Sequence, residues 1–281
     1  MGHLAMLGAA AFWGLIGPVS RLAFQEGLAP LEVAFFRALL AYPLFLAHAA
    51  FRHELRFRPK DLRTFLPFGL VGITLFYGAY QTAIRFGGAA LAAILLYTAP
   101  VWVALLSPFV LGERLTFPRG LAVALSLLGV VLVSHPGEAR FHPLGLGFGL
   151  LAGFSYALYY LWGKRALLRH PIPLVFSYAL PAGILALLPF VEFHPKSGMA
   201  WGALLFLAVF STYGAYTLYF AGLRRLPATQ AVILATLEPG VAALVAHFWW
   251  KETLTATASL GAALIVAGAI LGNLQVQGPC S

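Results

Sequence analysis

Polar positions along this chain gather in short clusters, and the apolar stretches between them are long. Ten such stretches run at roughly 4–24, 30–50, 64–84, 89–111, 118–134, 143–163, 172–191, 200–222, 228–249 and 256–274. A helix of about 20 apolar residues crosses the hydrocarbon core of a bilayer, and each stretch is close to that length. Several contain Pro or Gly, which membrane helices accommodate better than soluble ones. The pattern predicts an all-α polytopic membrane protein with ten transmembrane helices and little chain outside them.

Composition agrees with the pattern. Of 281 residues, 61% are hydrophobic and 10% charged, too few charges to cover a soluble protein of this size. The first stretch is longer than the apolar part of a signal peptide, and no Lys or Arg stands in Met1–His3, so it is expected to remain as a span. A single cysteine, Cys280, lies in the polar tail. It provides neither a disulfide framework nor a cysteine metal site.

The net charge of +9 would suit nucleic acid if it formed a patch, but its distribution is that of a membrane topology. With the N-terminus cytoplasmic, the inner connections carry twelve basic residues: Arg52, Arg56, Arg58, Lys60, Arg63, Arg114, Arg119, Lys164, Arg165, Arg169, Arg224 and Arg225. The outer connections carry five, namely Arg21, Arg85, Arg140, Lys196 and Lys251. This positive-inside bias predicts a multi-pass protein of the plasma (inner) membrane with both termini cytoplasmic. No nucleic-acid partner is expected.

The chain also repeats itself. ILLYTAPVWVALLSPFVLGERLT (94–116) aligns without a gap on ILATLEPGVAALVAHFWWKETLT (233–255). Pro100 pairs with Pro239, Glu113 with Glu252, and Leu115-Thr116 with Leu254-Thr255. The same register pairs Tyr77 with Tyr216, Tyr80 with Tyr219 and Gly129 with Gly268. Two units follow, 1–137 and 142–274, joined by SHPGEARFHP (134–143) and followed by a short cytoplasmic tail at 275–281. Five spans per unit is an odd number, so the second unit enters the membrane upside down relative to the first. Inverted repeats are characteristic of secondary transporters, which bind solute near the midplane between the repeats.

The twin P-x12-E-x-L-T segments at Pro100–Thr116 and Pro239–Thr255 resemble the drug/metabolite transporter superfamily, and within it the EamA-type branch. AFWGLIGPVSRLAF (11–24) is similar to that family's first helix, and LEVAFFRALLAYPL (31–44) to its second, with Arg37 in the characteristic place. The resemblance covers nearly the whole chain. It implies an alternating-access carrier with a central cavity, commonly exporting amino acids or other small metabolites.

Candidate site residues are the polar groups within spans. Glu238 stands near the middle of the ninth, where a carboxylate costs about 2.5–3.5 kcal/mol even on the insertion scale. It should face protein or a water-filled cavity. The adjoining Pro239 lacks the amide that would bond the Ala235 carbonyl, and Pro100 is its counterpart in the fourth span, so both are expected to break their helices at the cavity. Glu238 could bind a substrate amino group, carry a proton as coupling ion, or be structural. Arg37 could grip a carboxylate or serve folding alone, and its position nearer the span end separates it from Glu238. Tyr77, Tyr80 and Gln81 share one helical face, as do Tyr156, Tyr159 and Tyr160. With Tyr97, Trp102 and Tyr216 they are candidates for a cavity wall; among the second group, Tyr156 and Tyr160 are the ones selected.

Glu113, Glu252, Thr116 and Thr255 are expected to be structural residues at span ends. Gly145, Gly149 and Gly153 form a row suited to close helix packing, against a partner in this chain or another copy. No catalytic motif and no nucleotide-binding loop is present; no catalytic residue, metal site or cofactor is expected. The expected partners are a small-molecule solute and the lipid bilayer, with the proton as candidate coupling ion, in a monomer or weak homo-oligomer. A multidrug or quaternary-amine exporter is the alternative, and a membrane enzyme acting on lipid-linked substrates a more distant one.

Overall fold

The structure, a computed structural model, describes residues 1–55, 58–113, 115–134, 142–251 and 255–273, apart from the side chains of residues 89 and 90. Glu252, most of the joint at 134–143, and the tail with Cys280 lie outside these residues. Among those described, every regular element is helical. Eight helices are long and apolar enough to cross a membrane: α1 Gly2–Gln25, α2 Pro30–Phe51, α3 Pro59–Gly88, α4 Leu91–Leu111, α6 Pro143–Leu167, α7 Ile172–Phe190, α8 Gly198–Leu223 and α9 Ala228–Trp250. Two shorter apolar helices complete the set, α5 Phe117–Val133 and α10 Ala256–Gly272. The chain is a multi-pass membrane protein. Its lipid-facing surface carries bare apolar side chains such as Phe109, Phe117 and Phe248.

The helices are irregular where the sequence forces them to be. Pro18, Pro100 and Pro239 each lack the amide that would reach back four residues. Accordingly α1 is interrupted at Leu15, α4 at Tyr97–Thr98 and α9 at Thr236–Leu237. Threonines tighten the two later breaks: the Thr98 hydroxyl donates to the Leu95 oxygen and the Thr236 hydroxyl to the Ile233 oxygen, both at 2.6 Å. Two further irregularities are π-turns, at Leu70–Leu75 in α3 and Leu207–Gly214 in α8. They end at equivalent positions of the aligned repeats, as do the breaks at Pro100 and Pro239.

The inner segments of α4 and α9 end alike as well. Gly112 adopts φ +70° after α4, and Lys251, its aligned counterpart, adopts φ +59° after α9. Glycine takes this left-handed conformation without strain; a lysine does not.

Close approach between helices depends on small residues. A Cβ on Gly145 would lie 2.9 Å from Gly87, and one on Gly153 would lie 2.4 Å from the Leu95 oxygen. The glycine row of α6 therefore packs on α3 and α4 of the same chain. α5 and α10 meet through Gly129 and Gly261, each set against the other's carbonyl oxygen.

Contacts between connections define two faces. On the N-terminal face Gly2 lies against Arg225 and Leu226, the Lys164 ammonium donates to Glu113 and to the Leu226 oxygen at 2.6 Å, and Glu113 Oε2 accepts the Ala228 amide at 2.7 Å. Glu113 thus joins the end of α4 to the end of α6 and the start of α9, a larger role than that of an isolated residue at a span end. On the opposite face the fully buried Glu32 accepts from Lys196 Nζ at 2.6 Å, His194 Nδ1 at 2.9 Å and the His194 amide at 3.0 Å. Arg21 covers the Trp250 ring there, 4.4 Å from its centroid.

Replacing Lys251 by Gly relieves the left-handed strain after α9. The expected result is a gain of on the order of 1 kcal/mol, read as a raised melting temperature of the purified protein in detergent. An unchanged or lowered value would mean that the lysine side chain contributes more than its backbone costs.

Candidate functional site

A cavity of about 550 Å³ lies between the helices, within the range of about 300–1,000 Å³ typical of small-molecule sites. Its wall takes Trp13, Ile16, Gly17, Ser20 and Phe24 from α1, residues that recur on one helical face. From α2 it takes Pro30, Val33, Ala34 and Arg37; from α3, Gly72, Phe76, Tyr77, Tyr80, Gln81 and Ile84. Tyr97 comes from the break in α4, Tyr156 and Tyr159 from α6, Tyr216 from α8, and Glu238, Pro239 and Ala242 from α9. The lining reaches Phe24, Pro30 and Ser134, the helix ends away from the N-terminal face.

The break in α9 decides the setting of Glu238. Its second segment, Glu238–Trp250, begins at this residue, so the carboxylate sits in a first helical turn. There the unpaired amides and the helix dipole favour a negative group. The break in α4 places Tyr97 in the wall of the same cavity as Glu238. A proline break in each of two helices therefore brings an acid and a phenol to one spot at mid-membrane.

The π-turn of α8 decides the setting of Arg37. The Arg37 side chain is buried, and its Nε donates to Thr212 Oγ1 at 3.0 Å and its Nη2 to the Ser211 oxygen at 3.3 Å. Thr212 Oγ1 in turn donates to the Leu207 oxygen at 2.9 Å, and Ser211 Oγ to the Phe12 oxygen of α1 at 2.8 Å. Two of the five guanidinium donors are thereby committed, and the group still contributes to the cavity wall. The sequence set Arg37 apart from Glu238. The structure brings both charges to the same space, because α2 and α9 border it from different sides.

Below the cavity, toward the N-terminal face, aromatic rings pack in a layer. Phe45 stacks on Phe176 at 4.7 Å, Phe176 on Tyr216 at 5.0 Å, and Phe68 on Tyr159 at 5.1 Å between centroids. Tyr156 stacks on Phe76 at 4.9 Å and meets Tyr160 at 4.7 Å.

Of the residues singled out in the sequence, Arg37, Tyr77, Tyr80, Gln81, Tyr97, Tyr156, Tyr216, Glu238 and Pro239 line the cavity. Trp102, Tyr160 and Pro100 do not. The Trp102 indole donates to Thr98 Oγ1 at 3.2 Å and its ring packs on Phe154, so it braces the α4 break from behind. Tyr160 turns into the aromatic layer against Tyr219, 5.2 Å away, and Tyr159 occupies the wall in its place. Pro100 is buried in the segment following the break it causes. Trp13 and the α1 face were not singled out, although their spacing at 13, 16, 17, 20 and 24 was legible.

The sequence pattern of the EamA-like transporter family matches residues 1–135 and again residues 143–274. The chain belongs to the EamA-like transporter family. An uncharacterized transporter of Archaeoglobus fulgidus is 35% identical over 258 residues, covering 92% of each chain. A probable amino-acid metabolite efflux pump of Salmonella typhimurium is 30% identical, over 95% of this chain and 92% of its own. A probable terminal-alkyne amino-acid exporter of Streptantibioticus cattleyicolor is 30% identical over 79% of this chain and 76% of its own. A solved crystal structure superposes with a TM-score of 0.84 at 20% identity, covering 97% of this EamA-type chain and 96% of its own. It shares the fold.

Thr212 is the part of this site most open to a stability test. Thr212→Val keeps the shape and removes the acceptor of Arg37 Nε, leaving a buried charge short of one bond. Stability is expected to fall by about 1.5–3 kcal/mol, measured by thermal unfolding in detergent. An unchanged transition would mean that Arg37 is held by other groups.

Proposed function

We propose that this transporter is a secondary carrier that exports small amphipathic metabolites, most of all amino acids, across the plasma membrane by alternating access. A buried guanidinium and a carboxylate on different walls of one aromatic cavity carry the proposal. They complement the two charged ends of a zwitterion: Arg37 takes the carboxylate with the donors that Ser211 and Thr212 leave free, and Glu238 takes the ammonium. The tyrosines and Trp13 supply apolar area with polar edges for the rest of the solute. The amino-acid exporters among its relatives support the same class of solute.

The aligned proline breaks, π-turns and helix ends support two five-helix units, 1–137 and 142–274, related by inversion. With the basic connections inside, the N-terminal face is cytoplasmic and the cavity extends to the outer one. The inner side is then shut by the aromatic layer and by the Glu113–Lys164 pair, which ties the two units together. Export requires the opposite arrangement to form in turn, with the inner tie released. Glu238 is the group through which a proton gradient couples, since it exchanges a proton for the solute's ammonium. A quaternary-amine exporter would use Glu238 and the ring faces, but Arg37 in the same cavity opposes a cationic solute.

Counterflow in proteoliposomes preloaded with unlabelled solute tests the proposal. The wild type is expected to take up a labelled neutral amino acid, faster or slower according to an imposed pH gradient. Arg37→Gln should lower that uptake by about tenfold or more, the loss of a charge-assisted bond pair, and Glu238→Gln should remove the response to the gradient. Uptake unaffected by either substitution would retire both residues to a structural role. Uptake of amines alone, insensitive to Arg37→Gln, would establish the cation exporter instead.

A further inference from the structure

Two glycines on α1 differ in what surrounds them. A Cβ on Gly14 would lie 2.6 Å from Val241 of α9 and 3.0 Å from the Glu238 oxygen, so α1 and α9 touch there. A Cβ on Gly17, one turn further from the N-terminal face on the same helical side, would meet nothing within 4 Å. Gly17 nonetheless lines the cavity, together with Ile16, Ser20 and, from α9, Ala242. Its emptiness is cavity space. Gly72, a further glycine of the wall, is different again: a Cβ there would lie 2.8 Å from the Tyr159 ring, so that position is closed by packing.

The cavity accordingly has two parts. Its deeper part is aromatic and polar, with Trp13, Tyr77, Tyr156, Tyr159, Tyr216 and the two charges. Its outer part, beyond the Gly14–Val241 contact, mixes small residues, Gly17, Ser20, Ala34 and Ala242, with larger apolar ones such as Val33 and Phe24. A zwitterion held at the charges would project its side chain into this second space. Resting on the proposed amino-acid carrier, we propose that Gly17 sets the upper size of the solute side chain: the site admits bulky apolar amino acids because position 17 has no side chain.

A second property of Gly17 shapes the test. Pro18 follows it, and the proline ring disfavours helical backbone at a preceding residue that bears a Cβ. Alanine and leucine at position 17 incur that backbone cost equally but differ in bulk, so the pair separates backbone from volume. Counterflow is measured with labelled alanine and labelled phenylalanine as probes, for wild type, Gly17→Ala and Gly17→Leu, each checked for a single symmetric peak on size exclusion. Gly17→Ala is expected to keep both probes within about twofold of wild type, and Gly17→Leu to keep alanine while losing phenylalanine by about tenfold or more. Parallel loss of both probes in either variant overturns the assignment and makes Gly17 a backbone residue only. Retention of phenylalanine in Gly17→Leu overturns it too. A wild type that moves neither probe nor any other amino acid refutes the carrier reading itself, an outcome separate from these.

Discussion

Prolines 100 and 239 each remove a main-chain hydrogen bond from the middle of an apolar helix, and hydrocarbon holds no water to replace it. Unpaired carbonyls at that depth are tolerated only where protein or an aqueous cavity surrounds them. This constraint orders much of the molecule. It requires the breaks in α4 and α9 to turn inward, and the Thr98 and Thr236 hydroxyls add bonds to main-chain carbonyls at those breaks. It also explains a carboxylate beside a proline in a membrane helix: once α9 is divided, Glu238 opens a helix of its own, in a first turn whose dipole favours a negative group.

The π-turns are the complementary device. Inserting a residue shifts the following helical face by about 100° and leaves polar main-chain groups out of the regular ladder. In α8 the Ser211 carbonyl oxygen and the Thr212 hydroxyl fix Arg37, while the Ser211 hydroxyl anchors the α1 backbone at Phe12. One irregular turn thus sets the cationic wall of the cavity and its α1 wall together. Proline breaks set the anionic wall. The site is built from defects in helices rather than from loops, and helix packing on either side keeps it rigid.

Asymmetry between the faces follows from where the strong contacts lie. Toward the N-terminal face stacked rings join α2 to α7, α7 to α8 and α3 to α6, and Glu113 joins α4, α6 and α9. Toward the other, Lys196 and His194 hold the buried Glu32, and the cavity reaches the helix ends. In the proposed cycle this is one of two alternating states. In that proposal the two units are inverted relative to each other, so that equivalent helices, broken at matching positions, exchange roles.

By itself the sequence determined the membrane class, the all-helical architecture, the proline breaks and the presence of an acid inside an apolar helix. All of these follow from local chemistry: apolar length, missing amides, and the cost of charge in hydrocarbon. Only the tertiary structure decided which side of each helix meets the cavity. Periodicity puts Tyr156, Tyr159 and Tyr160 on one face, yet packing against Tyr219 turns Tyr160 away and leaves Tyr159 in the wall. Arg37 reached the space that Glu238 occupies because the π-turn of α8 receives its guanidinium, and π-turns leave no residue signature comparable to proline. Trp102 stayed outside because the break it flanks needed bracing from behind. The glycine row of α6 found its partner within the chain for a like reason: small residues permit contact, but only the arrangement of all the helices selects the surface they touch.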